Sequence, residues 1–204
     1  MVCSMEFAYA HENNGVLYRV DTRGPDEIFN QGFQSFGNNY SLRDHSRGTS
    51  CVGMNRNSGF ISTSADPIYA ANYARRLTQH TNSPVYVYII TSSSNMYNMA
   101  QSLQNISYSA GIHDANTQSE WIAVDRISSS QIRGVRAYVG VETPPVQPNP
   151  HFVDPQSVVN TVPYIENGTE DGINPAQAFY VSARPSITLV WQPLFIAFVL
   201  LIEL

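Results

Sequence analysis

Three short stretches of this 204-residue sequence carry side chains that could work together chemically. In Tyr18-Arg19-Val20-Asp21-Thr22-Arg23, an arginine stands inside a strand-like apolar run. A buried arginine without an anionic partner costs several kcal/mol. A structural carboxylate or a ligand phosphate would meet that need equally well. In Phe60-Ile61-Ser62-Thr63-Ser64, three consecutive hydroxyls close a strand, a pattern that on its own also describes a solvated turn. In Gln118-Ser119-Glu120-Trp121, an amide and a carboxylate lie two residues apart. In an extended segment both would project to the same side, although a surface strand edge has the same spacing. Other familiar constellations are missing. There is no Gly-rich dinucleotide loop, P-loop or G-x-S-x-G turn, and no C-x-x-C or H-E-x-x-H, so no metal is expected.

The elements that must position these residues can be read from pattern. Leu17 to Val20 reads as a strand, and Pro25 to Phe29 as a short helix with acids in its first turn, stopping at Gly32. Gly59 to Ser64 reads as a strand. Asp66 then caps a helix that starts at Pro67 and runs to about Leu77, with Ile68, Ala71, Ala74 and Leu77 as its apolar stripe. Val85 to Ile90, Trp121 to Ile127 and Gly134 to Val141 read as strands, and Asn95 to Leu103 as helical. Nine of the 12 prolines lie beyond residue 143, which makes Thr143 to Pro163 an extended connector laid over the surface. Ile187 to Leu204 is strongly apolar, broken by Gln192-Pro193 and closed by Glu203. It reads as a buried or subunit-docking tail, ahead of a membrane segment or a removed anchor signal. At the other end, Ala8-Tyr9-Ala10 fits the end of a signal peptide, or an ordinary terminus.

Composition narrows the function classes. Hydrophobic residues make up 43% and aromatics 11%, enough for a packed core and too much for a disordered chain. A net charge of −5 supplies no field for a nucleic-acid backbone, so nucleic acid is excluded as a partner. All 11 basic residues are arginine and none is lysine. Abundant Asn argues against codon drift as the cause. Selection against the primary amines that accept ubiquitin suits a protein that enters a eukaryotic cytosol.

Taken in order, the three stretches resemble the Arg–Ser–Glu class of mono-ADP-ribosyltransferase toxins, the group of the cholera, heat-labile enterotoxin and pertussis catalytic subunits. Leu17 to Phe33 is similar to the opening signature of that family. Gly37-Asn38-Asn39, Leu42-Arg43-Asp44-His45 and Gly48-Thr49-Ser50-Cys51 are similar to its histidine segment. Gly59 to Ser64 resembles its S-T-S strand, and Asn95-Met96-Tyr97-Asn98 a further shared stretch. The resemblance spans roughly residues 16 to 140 and implies an α+β fold of two small packed β-sheets with flanking helices and an NAD cleft. It implies residues 11–142 as the catalytic domain, after a signal remnant at 1–10 and before a connector at 143–185 and a tail at 186–204.

The resemblance also assigns roles. Glu120 would be the catalytic glutamate, bonding the nicotinamide ribose and stabilising the oxocarbenium-like transition state, as glycosidase carboxylates do. Arg19 would anchor NAD near its phosphates, supported by Asp21 and Arg23. Ser62 would hold Glu120, assisted by Thr63 and Ser64, while His45 would orient the ribose or help activate the acceptor. Gln118 replaces the second glutamate of the arginine-modifying branch. An amide cannot act as a base, so the implied acceptor is not arginine. A heterotrimeric G-protein α subunit is the favoured host target. NAD is the implied substrate, a B-subunit oligomer the partner of the tail, and the host cytosol the place of action after secretion. Two departures stand out: Gly24 replaces a frequent proline, and no cysteine follows Cys51, so Cys51 pairs with Cys3 or stays free. An NAD glycohydrolase and an inert secreted module with the same fold are the competing readings.

Overall fold

Runs of β-branched and aromatic residues suit a pleated, half-buried surface. Such runs build the sheet in the computed structural model, which describes residues 14–51, 56–81, 83–140 and 142–166. The order is β1 (Val16–Asp21), α1 (Pro25–Gln31), β2 (Phe33–Gln34), α2 (Leu42–Ser46), β3 (Phe60–Ser64), α3 (Pro67–Thr78), β4 (Val85–Thr91) and β5 (Met96–Asn98). Next come α4 (Met99–Asn105), α5 (Ile112–Thr117), β6 (Glu120–Val124), β7 (Arg126–Ile127), β8 (Ile132–Tyr138) and β9 (Gln147–Pro148).

Seven strands form an antiparallel sheet in the order β5-β6-β3-β1-β4-β8-β9, while β2 and β7 make a separate two-stranded ribbon. Within the large sheet the pairing is uneven. β1 pairs with β4 along its whole length, from Val16↔Thr91 to Asp21↔Tyr86. β3 likewise pairs with β6 from Phe60↔Val124 to Ser64↔Glu120. Between β1 and β3 the register holds a single pair, Tyr18↔Ser64. The sheet is therefore two well-zipped halves meeting at one rung, the α+β architecture expected for this chain. One core cluster, with Leu17, Ile61, Tyr88 and Trp121, packs beneath α1 and the ribbon. A second, with Phe60, Leu103, Ile122 and Tyr164, packs under α4 and α5. The third sets Ala70, Tyr73 and Ala74 of α3 against Val20, Val87 and Tyr138.

Several elements differ from the pattern reading. The stripe of α3 is rotated: Ala70, Tyr73 and Ala74 are its buried residues, whereas Ile68 is 65% exposed. Tyr73 brings more apolar area than Ile68, so the helix turns to bury the ring. Asn95 to Leu103 is not one helix. Met96 to Asn98 pairs with the open edge of β6, and Asn98 caps α4 by accepting from the Gln101 amide at 2.9 Å. Trp121 to Ile127 breaks at Asp125 (φ 64°), where the chain leaves the sheet to pair with β2.

Residues 142–166 cross the surface with only β9 as regular structure. They are pinned by reciprocal bonds between Ser92 and Val158: the Val158 amide donates to the Ser92 carbonyl at 3.1 Å, and Ser92 Oγ to the Val158 carbonyl at 2.9 Å. The segment ends with Tyr164 fully buried, edge-on to Phe60 at 5.0 Å and to Tyr97 at 5.4 Å. The signal-peptide reading of residues 1–10, the Cys3 thiol and the apolar tail at 186–204 lie outside the described residues.

Candidate active site

β1 carries Arg19 and Asp21 on the same side, two residues apart. Asp21 is fully buried and takes Arg19 Nε and Nη2, each at 3.2 Å, together with Arg23 Nε and Nη2, each at 3.0 Å. The Arg23 amide donates to the same carboxylate at 3.0 Å. Both guanidinium groups lie over the Phe33 ring, at 4.9 and 5.4 Å from its centre. Arg19 also reaches across the poorly paired seam, donating from Nη1 to the Ser62 carbonyl at 3.0 Å. Of the two partners the sequence left open for Arg19, the structure supplies the carboxylate.

The five-residue helix α2 delivers His45, which is 1% exposed. Ser41 starts this helix by accepting from the Asp44 amide at 3.2 Å. His45 Nδ1 faces Ser58 Oγ at 2.8 Å and Cys51 Sγ at 3.2 Å. Its Nε2 faces Ser62 Oγ at 3.0 Å and Glu120 Oε1 at 3.6 Å. Burial opposes a charged imidazole here. The Cys51 sulfur and the Glu120 carboxylate outweigh it, and the pKa is raised to about 9. Ser62 Oγ is hydrogen-bonded to this ring, and among the described residues it makes no hydrogen bond to Glu120, the contact that the resemblance implied.

Glu120 begins β6 and is 5% exposed. Gln118, however, does not lie in an extended segment. It is the C-cap of α5 in right-handed helical geometry, and Ser119 follows at φ 48°. The two side chains are thus presented by a helix end and a left-handed residue, not by strand alternation. Oε1 of Gln118 and Oε1 of Glu120 are both buried without a hydrogen-bond partner. Native proteins rarely leave such acceptors unsatisfied, which marks the pair as a place where a ligand donor would fit.

Two small cavities lie in this region, one of them reaching Gln118. One is lined by Arg19, His45, Cys51, Ser58 and Ser62, together with Gln34 and Phe36. The other is lined by Tyr18, Thr63, Ser64, Tyr69 and Gln118. Thr63 and Ser64 spend their hydroxyls on backbone, Thr63 Oγ1 donating to the Trp121 carbonyl at 2.8 Å and Ser64 Oγ to the Gln118 carbonyl at 2.6 Å. They join β3 to the Gln118–Glu120 corner. Cys51, Ser58 and Phe33 complete the site. Among these, Ser58 and Phe33 had no sequence signal beyond their nearness to the motifs. Among the described residues Cys51 forms no disulfide.

This geometry can be set beside known proteins. A family model described as heat-labile enterotoxin alpha chain matches residues 2–157. The chain is 32% identical over 181 residues to a pertussis toxin subunit 1 homolog of Bordetella parapertussis, covering 77% of this chain and 67% of that protein. It is 30% identical over 139 residues to the heat-labile enterotoxin A chain of Escherichia coli, covering 61% and 50%. Among solved structures, EcPltA superposes with a TM-score of 0.66 at 28% identity, covering 75% of this chain and 95% of that one. An E. coli heat-labile enterotoxin superposes at 0.54 and 27%, covering 68% and 77%.

Proposed function

Because the chain belongs to the heat-labile enterotoxin alpha chain family of ADP-ribosyltransferase toxin A subunits, we propose that it cleaves NAD between nicotinamide and ribose and transfers the ADP-ribose to a host protein. The observation that carries this reading is Oε1 of Glu120, buried without a hydrogen bond 3.6 Å from the His45 ring. A ribose hydroxyl would satisfy that oxygen, and the carboxylate would then face the positive charge that develops on the sugar as nicotinamide departs. Arg19 and Arg23, held by Asp21 over Phe33, put cationic groups beside the cleft, as a pyrophosphate requires. His45, its pKa raised by its neighbours, would orient the ribose or steady Glu120. Ser62 would fix the ring from the strand side, while Thr63 and Ser64 hold the corner that presents Gln118 and Glu120.

At position 118 the amide cannot take a proton from an acceptor, so a guanidinium acceptor is disfavoured. A heterotrimeric G-protein α subunit with a non-arginine acceptor is the reading this supports. Secretion, action in the host cytosol and attachment to a B-subunit oligomer through the apolar tail complete the proposal.

The test is transfer of labelled NAD into a eukaryotic lysate by wild type and Glu120→Gln. Wild type should label a protein, and the variant should fall by about 10²–10³-fold, the cost of losing an electrostatic stabiliser, while remaining folded by circular dichroism. Nicotinamide release without any labelled protein would assign a glycohydrolase instead. Neither activity in wild type would overturn both.

A further inference from the structure

Arg43 and Arg47 stand one turn apart on α2 and its C-cap, and both are exposed. Among the described residues neither meets a carboxylate: the ion pairs of the site involve Arg19, Arg23 and His45. Both guanidinium groups instead lie against one ring, Tyr108, at 5.5 and 5.2 Å from its centre, and Arg47 Nε donates to the Tyr108 hydroxyl at 2.9 Å. The ring is half-buried against the core beneath α4. It is presented by Ser107 at φ 53°, a left-handed conformation that non-glycine residues adopt rarely. The acids attached to the helix are occupied elsewhere. Asp44 Oδ2 accepts from Asn39 Nδ2 at 3.0 Å, and Glu166 accepts from the Leu42 amide.

Two cations fixed on a rigid ring lose little side-chain freedom on meeting an anion. They lie on the same helix as His45, so a bound segment would sit within about one helix diameter, ~10 Å, of the cleft. A chain of net charge −5 repels an acidic protein in general, and this is a place where it would attract one. We infer that Arg43, Arg47 and Tyr108 form a docking site for an acidic, carboxylate-bearing segment of the protein acceptor. This rests on the transferase reading for its purpose, not for its detection.

The experiment uses the full chain and a fluorescein-labelled oligoglutamate peptide, read by anisotropy, with R43Q/R47Q beside wild type. Wild type should bind the peptide and weaken with salt, and the double variant should bind about tenfold or more weakly, the scale on which paired arginine contacts act. Nicotinamide release by the variant should stay within about twofold of wild type, since neither residue touches the NAD cleft. Labelling of a lysate protein at low acceptor concentration should fall, and excess oligoglutamate should inhibit labelling by wild type alone. Absence of peptide binding, equal binding by the variant, or tighter binding of an oligoadenylate of the same length would overturn the docking site. So would a variant that loses nicotinamide release in parallel with labelling. If wild type binds the peptide but shows no NAD chemistry, the docking site stands and the transferase reading falls.

Discussion

His45 sits between a thiol, two hydroxyls and a carboxylate, and its protonation couples the site to pH. Its pKa is raised to about 9 from an unfolded value near 6.5. A raised pKa means the folded state holds the proton more tightly than the unfolded chain. The resulting stability is complete below about 6.5 and is lost as pH climbs through about 9. Denaturant midpoints should therefore fall between those values in wild type, and the slope should flatten in His45→Asn. Removing the sulfur in Cys51→Ala should move the imidazole titration down, measured by NMR of the ring protons, because Cys51 is the largest of the favourable influences on it. An unchanged titration would show that Glu120 alone sustains the charge. At this scale the sequence was informative about identity and silent about contacts. Arg19, His45, Ser62 and Glu120 do converge, but nothing in their spacing revealed that Ser62 serves His45, or that Asp21 occupies two arginines at once.

Elements were legible where a local chemical signal set their ends. Asp66 accepts from the amides of Ile68 and Tyr69 at 2.7 and 3.1 Å, so Asp66→Ala should cost about 1 kcal/mol in chemical denaturation. Gly32 ends α1 at φ 70°, and a Cβ there would stand 2.2 Å from the Ile127 carbonyl. Gly32→Ala should thus cost well over the ~1 kcal/mol typical of a strained left-handed alanine, with the ribbon of β2 and β7 displaced. A melting temperature within a degree or two of wild type would contradict that packing. Elements without such punctuation were missed. α2 and α5 are too short to show a helical period, and β5 was absorbed into α4 because Met96 and Tyr97 suit either state until the open edge of β6 supplies partners.

For the whole molecule, the α+β class was legible through the resemblance, with the coarse strand pattern consistent with it. The way the last described segment returns to the core was not. Tyr164 is buried against Phe60, which in turn meets the His45 ring at 5.3 Å. Tyr164→Ala should cost about 3 kcal/mol or more by leaving a cavity in that cluster, read from denaturant unfolding. Long-range closure of this kind carries no short-range signature.

The single Tyr18↔Ser64 rung between the two halves of the sheet has a consequence for solvent exchange. Backbone amides on the facing edges of β1 and β3 lack the ladder that protects the rest of these strands, so deuterium should enter there ahead of the flanking pairs. A dinucleotide gripping Arg19 on one half and Glu120 on the other would bridge that seam and slow the uptake along it. Such a footprint of occupancy would be readable by mass spectrometry in Glu120→Gln, where slowed turnover spares the ligand.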